Sequence, residues 1–182
     1  GNLKKYRFSQ NLSEFSLTSS EIRRILVVTK SENIVPHSSG SRYRNPSGPY
    51  HYILSIIAVL NNIKRDDIRI SIKPHPSENN RLYSRYFHSS EVEIVSNMDV
   101  GRYQLVIGPM STMLLDSLFA GIPYLVYEPL NEFGLDLQGF NLVYPFLNQV
   151  GLLKAFSEED LEAILRKEHL LWNNEWLIEY DN

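Results

Sequence analysis

The sequence predicts an α/β fold in which a parallel sheet carries helices on both faces, and three observations predict it. Short, branched and nearly continuous apolar runs recur at residues 25–29, 68–72, 92–95, 105–107 and 124–127, the pattern of strands covered on both sides. Helical spacing or polar turns separate these runs, which gives a repeated β-α-β order. The composition is that of an ordinary globular chain, 43% hydrophobic and 21% charged over 182 residues, so one core suffices.

Residues 1–20 are polar, Ser-rich and without clear periodicity. They read as an arm that packs on a neighbour or stays mobile, with the domain spanning 21–182. After the first run, residues 38–49 form a Gly/Ser/Pro-rich loop carrying Arg42 and Arg44. A loop of that length is a lid that brings an arginine to phosphate or acceptor, or a solvated connection. Pro49 suits the first turn of a helix, and Ile53, Ile56, Ile57, Leu60 and Ile63 follow at three- and four-residue spacing. Strand 68–72 then runs into Lys73-Pro74-His75-Pro76, where the prolines stop the ladder. Beyond strand 105–107, a helix is expected from Ser111 with Leu114, Leu115, Leu118 and Phe119 inward, ending at Gly121 before Pro123. Ser157-Glu158-Glu159-Asp160 has capping-box spacing ahead of Leu161, Ile164 and Leu165, and Leu170, Leu171, Trp172, Trp176 and Leu177 suggest a second C-terminal helix. Right-handed crossovers between these strands give a three-layer, doubly wound, Rossmann-like sheet of five or six strands.

The charge balance excludes some partners. Eighteen basic against 21 acidic side chains give a net charge of -3, which supplies no cationic field for nucleic acid. The longest apolar run, near residues 53–60, falls far below the ~20 residues of a membrane span. With no cysteine, disulfides, thiolate catalysis and the usual structural zinc sites are ruled out. A cytoplasmic home is expected, or a peripheral one at the inner membrane face within a longer protein. Gly1 in place of an initiator Met reads as the start of a trimmed piece of a two-domain protein.

In a doubly wound sheet, ligands lie beyond the carboxyl ends of the strands, so residues just after each strand are the candidates. Lys73 and His75 pair a point charge with a titratable donor suited to a phosphate, or they belong to a plain proline-rich turn. Gly108-Pro109-Met110-Ser111-Thr112 places backbone amides and two hydroxyls where a helix begins, which suits an anion; an ordinary N-cap at Ser111 is the simpler alternative. Asp116, four residues after Thr112 on the same helix face, could hold a ribose or merely favour the helix start. Glu128, with Glu132 and Asp136 beyond it, follows the fifth run, where a carboxylate could take a sugar hydroxyl. Metal binding is not indicated by these spacings.

The run from Arg69 through Lys73-Pro74-His75-Pro76, and the run from Leu105 through Gly108, Ser111-Thr112, Asp116, Gly121 and Pro123, together resemble the C-terminal domains of GT-B glycosyltransferases. The likeness is to bacterial sialyltransferases and polysialyltransferases, and to glycerophosphotransferases of wall teichoic acid synthesis. It covers most of residues 24–170, with specific motifs over about 20 of them. It implies a metal-independent glycosyltransferase of surface polysaccharide, capsule or lipopolysaccharide synthesis that needs no cofactor and takes a CMP-, CDP- or UDP-linked sugar. By that resemblance His75 contacts or protonates the leaving phosphate, and Ser111 and Thr112 bind it. The acidic base of such sialyltransferases sits in an N-terminal domain that also meets the glycan or lipid-linked acceptor, and no counterpart stands here, so the isolated chain is expected to show no turnover. Two other readings stay open. Nucleotide-sugar 2-epimerases share the architecture but carry a Ser-Gly-Gly helix start and paired glutamates, where this chain has Ser111-Thr112-Met113 and Asp116. A non-catalytic binding module would keep the same residues as caps and turns.

Overall fold

The computed structural model of the chain describes residues 15–29, 34–36, 42–44, 48–87, 92–109, 111–129 and 152–172. The first elements are β1 (Phe15–Thr18), a 3-10 turn at Ser19–Glu21, β2 (Arg24–Val28), β3 (Ile34–Pro36), β4 (Arg42–Arg44) and α1 (Gly48–Asn62). Then come β5 (Arg69–Lys73), α2 (Asn80–Tyr86), β6 (Val92–Ile94), a 3-10 turn at Val100–Arg102, β7 (Leu105–Gly108), α3 (Met113–Phe119) and β8 (Tyr124–Tyr127). The last are β9 (Leu153–Ala155), α4 (Glu158–Leu165) and β10 (His169–Trp172).

Six strands form one sheet in the order β6-β5-β2-β7-β8-β9, with every neighbouring pair parallel. Numbered by appearance within the sheet, that order is 3-2-1-4-5-6, so the fold is Rossmann-like with its switch point between β2 and β7. The two-residue period of the strands divides the core. Ile25, Val27, Ile70, Ile72, Leu105, Ile107, Leu125 and Tyr127 face α1, α2 and α4 through Ile53, Ile56, Val59, Leu60, Tyr83, Leu161 and Leu165. On the other face, Leu26, Val28, Val106, Tyr124 and Val126 pack with Leu114 of α3 and with Tyr103. Each fully buried Ile or Leu contributes roughly 1.5–3 kcal/mol, which explains why the runs read from sequence coincide with strands.

Local signals terminate the helices. Gly121 has φ +72, and the Ile122 N–H donates to the Ser117 carbonyl at 2.9 Å, the long bond of a Schellman ending. At the start of α4, Ser157 Oγ accepts from the Asp160 N–H at 3.0 Å, as its spacing predicts. The return bond differs from a capping box: Asp160 Oδ2 accepts from the Phe156 N–H at 3.0 Å, one residue earlier.

Several elements depart from the sequence reading. Residues 15–18, placed in the polar arm, form β1, and residues 169–172, expected as helix, form β10; the two pair antiparallel from Phe15↔Trp172 to Thr18↔His169. Leu17 and Leu170 both pack on the core from this ladder, so a two-residue alternation prevailed over the apparent helical spacing of the tail. Within the expected loop 38–49, Arg42–Arg44 is a strand paired antiparallel with Ile34–Pro36, and α1 already begins at Gly48. β9, only three residues long, is the sixth strand. Arg65 secures the added ladder, its guanidinium donating to the Ser19 and Ile22 carbonyls, both at 2.6 Å, and to Asp67 Oδ1 at 2.8 Å. Trp176, Leu177 and the side chains of Leu118 and Phe119 lie outside the description. Among the described residues no helix is long and apolar enough to cross a membrane.

Candidate functional site

Because β5 and β7 flank β2 in parallel register, their carboxyl ends open on one edge. Val28 pairs with Lys73, and Val27 pairs with Ile107, the residue before Gly108. Two strand spacings separate Lys73 from Gly108, about 10 Å. Both turns singled out in the sequence therefore lie at the switch point, where open α/β sheets bind ligands.

Strand alternation decides which way each end residue points. Ile70 and Ile72 face α1, so Lys73 points to the α3 side, and its Nζ lies 3.3 Å from Met113 Sδ at the first residue of α3. The ammonium, half-buried, thus spans from one turn to the other across the end of β2. Among the described residues it has no carboxylate partner. Gly108 points to the same face. A Cβ there would overlap the Tyr124 hydroxyl and stand 3.1 Å from both Tyr124 Cζ and Val28 Cβ, so the strand end is closed to any other residue without rearrangement.

Tyr124 organises the turn after β7. Its hydroxyl donates to the Pro109 carbonyl at 2.7 Å and lies 3.4 Å from Ser111 Oγ. Burial pushes its phenol well above the ordinary value, so it stays a neutral donor at physiological pH. The Leu114 and Leu115 amides donate to the Ser111 and Thr112 carbonyls, each at 3.0 Å, so the helix ladder starts from the two hydroxyl residues. Ser111 is half-buried, and Thr112 and Asp116 are exposed.

A second polar group forms on the α1 side of the same edge. The Glu78 N–H donates to the His75 carbonyl at 2.8 Å, closing a turn through Pro76 and Ser77. The His75 N–H donates to both Thr29 Oγ1 and Glu78 Oε2 at 3.0 Å. Glu78 Oε2 also accepts the Thr29 hydroxyl and, at 2.6 Å, the Tyr83 hydroxyl. Burial, then the bond to Glu78, raises the Tyr83 phenol far above its usual range. His75 Nδ1 accepts the Ser77 N–H at 3.2 Å and lies 2.9 Å from Ser77 Oγ. A ring nitrogen that accepts an amide carries no proton, so in the neutral imidazole the proton sits on Nε2, which becomes a donor.

Of the residues chosen from sequence, Lys73, Gly108, Ser111 and Thr112 gather on the α3 side and His75 stands on the α1 side. Among the described residues no hydrogen bond joins His75 directly to Ser111 or Thr112. Glu128 follows β8, its N–H bonded to the Ala155 carbonyl at 3.0 Å, close enough to raise the Tyr52 and Tyr124 phenols further. Arg42 and Arg44 belong to β4 rather than to an open loop, and Met110, Glu132 and Asp136 lie outside the description. Thr29, Glu78, Tyr83 and Tyr124 were not chosen. Glu78 carried a signal, an acid three residues after His75, and the two tyrosines did not stand out from other core aromatics. Among the described residues no cluster of His, Asp and Glu is placed to hold a metal ion. No protein-family model, curated protein or solved structure matches the chain.

Proposed function

We propose that this chain is the donor-binding domain of a GT-B type glycosyltransferase of surface polysaccharide, capsule or lipopolysaccharide synthesis, taking a CMP-, CDP- or UDP-linked sugar. The observation that carries the reading is the Lys73 ammonium reaching Met113 Sδ across the end of β2. A cation at that position, without a protein counter-ion among the described residues, suits a phosphate. Ser111 and Thr112 add hydroxyls on the same side, and the Nε2–H of His75 supplies a neutral donor from the other. Breaking a sugar–phosphate bond builds negative charge on the departing nucleotide, and fixed donors there lower the barrier. His75 contacts that phosphate through its Nε2–H, and Asp116 and Glu128 are offered to ribose and sugar hydroxyls. The acceptor, a glycan or lipid-linked chain, would be held by a partner domain in a longer protein in the cytoplasm or at the inner membrane face.

Calorimetric titration with CMP, CDP and UDP tests this. At least one should bind, and Lys73→Met, His75→Ala and Ser111→Ala should each weaken it by about tenfold, the scale of one charge-assisted hydrogen bond. Failure of all three nucleotides to bind, or binding unchanged in all three variants, would defeat the proposal. Sugar transfer by the isolated chain would contradict the two-domain account.

A further inference from the structure

We infer that Glu78 is a positioning residue: it fixes the His75 turn so that the imidazole presents Nε2–H to the strand-end crevice. Three donors from three parts of the fold converge on Glu78 Oε2: the Thr29 hydroxyl at the end of β2, the Tyr83 hydroxyl on α2, and the N–H of His75. The closure is reciprocal, since the Glu78 N–H returns to the His75 carbonyl at 2.8 Å. Tyr83 is 1% exposed, and Tyr50 of α1 packs on its ring with centroids 5.1 Å apart, so the anchor of the carboxylate is set by the core. The turn that carries His75 therefore inherits the rigidity of the α1 face.

The second carboxylate oxygen takes no part in this closure. Oε1 is buried with no hydrogen-bond partner among the described residues. A buried acceptor left unmade is costly, and a residue chosen for stability alone would be replaced by one with fewer polar atoms. What the carboxylate provides is one charged oxygen on which three donors converge, each bond stronger than the same bond to a neutral amide oxygen. Ser77, whose N–H reaches His75 Nδ1, lies inside this closed turn, so the ring tautomer is a readout of the turn that Glu78 holds.

The test has two arms, and only the second rests on the donor-site reading. In the first, long-range nitrogen–proton correlation of the histidine rings, assigned by the His75→Ala variant because the chain has five histidines, reads the tautomer in mildly alkaline buffer. The intact protein should show His75 as the Nε2–H form, and Glu78→Gln should convert it to a mixture. Tyr83→Phe, which removes one donor to Glu78 and keeps its shape, should shift it the same way and serves if Glu78→Gln fails to fold. An unchanged tautomer in the folded variants overturns the inference. In the second arm, Glu78→Gln should weaken CMP, CDP or UDP binding about tenfold, with no further loss in a His75→Ala background. Equal losses in both backgrounds would assign Glu78 a general structural role and also overturn it. If no nucleotide binds the intact protein, the donor-site reading fails while the tautomer still decides the role of Glu78.

Discussion

Replacing Gly108 with alanine is expected to damage the site edge through a single identifiable contact. The added methyl would overlap the Tyr124 hydroxyl and lie 3.1 Å from Tyr124 Cζ and Val28 Cβ, and Tyr124 and Val28 are only 2% and 5% exposed. Neither neighbour has open space to enter. Overpacking a tight core costs about 1–3 kcal/mol, and moving the ring off the Pro109 carbonyl forfeits a buried hydrogen bond of about 1 kcal/mol. Gly108→Ala should therefore lose about 2–4 kcal/mol in urea unfolding, with Tm falling by roughly 2–4 °C for each kcal/mol. Tyr124→Phe alone should cost about 1–3 kcal/mol, because the Pro109 carbonyl loses its donor. In that background the penalty of Gly108→Ala should shrink by about 1–2 kcal/mol: the overlap with the hydroxyl is gone, while the 3.1 Å contacts to Cζ and Val28 Cβ remain. A loss below about 0.5 kcal/mol, the scale of a neutral surface change, would refute the reasoning, as would the same loss in both backgrounds.

Gly121 offers the contrast, since nothing lies within 4 Å of its would-be Cβ but its φ is +72; Gly121→Ala should cost about 1 kcal/mol by conformation alone, and Gly121→Asn less, both read by urea unfolding. Arg65→Met keeps the side-chain stem and removes the donors to the Ser19 and Ile22 carbonyls; a loss of about 1–3 kcal/mol is expected, with hydrogen exchange rising in β1 and β10 before β2 and β7. Glu21 is held below its ordinary value by the hydroxyl of Thr18 and then by the Thr18 N–H, so its contribution is present above the unfolded carboxylate value and lost as pH falls through the lower folded value. The stability difference between the native chain and Thr18→Val should accordingly be seen at neutral pH and shrink on acidification; a difference that grows as pH falls would contradict the assignment.

The sheet was legible because its strands are buried on both faces. Runs such as Ile25 to Val28 and Tyr124 to Tyr127 have no polar position to disguise them. The edge position of both candidate turns was legible for a related reason: once β-α-β order is granted, the residues after each strand must lie on one edge of the sheet, and the register of β5, β2 and β7 puts both turns there. The β1–β10 ladder was hidden because four-residue strands outside the main sheet have one covered face, and Ser16 and Thr18 resemble arm residues when their partner, at residues 169–172, is unknown. Thr29 escaped because it gains no meaning alone, and Glu78 because an acid three residues after His75 has no visible partner until Thr29 is beside it. Only the fold brings a hydroxyl at the end of β2 to a carboxylate 49 residues later.

The two turns share a device that follows from their position. Each lies where the backbone has left the sheet ladder, and each is gripped by the hydroxyl of a buried tyrosine, Tyr83 through Glu78 and Tyr124 through Pro109. A phenol places one donor at the end of a rigid ring, and that ring is held by close packing. The placement of the two turns is therefore set by the core on both faces of the sheet, Tyr83 on the α1 side and Tyr124 on the α3 side. Lys73, half-buried between them, meets the far turn through the soft thioether of Met113, a weaker hold than either tyrosine hydroxyl provides.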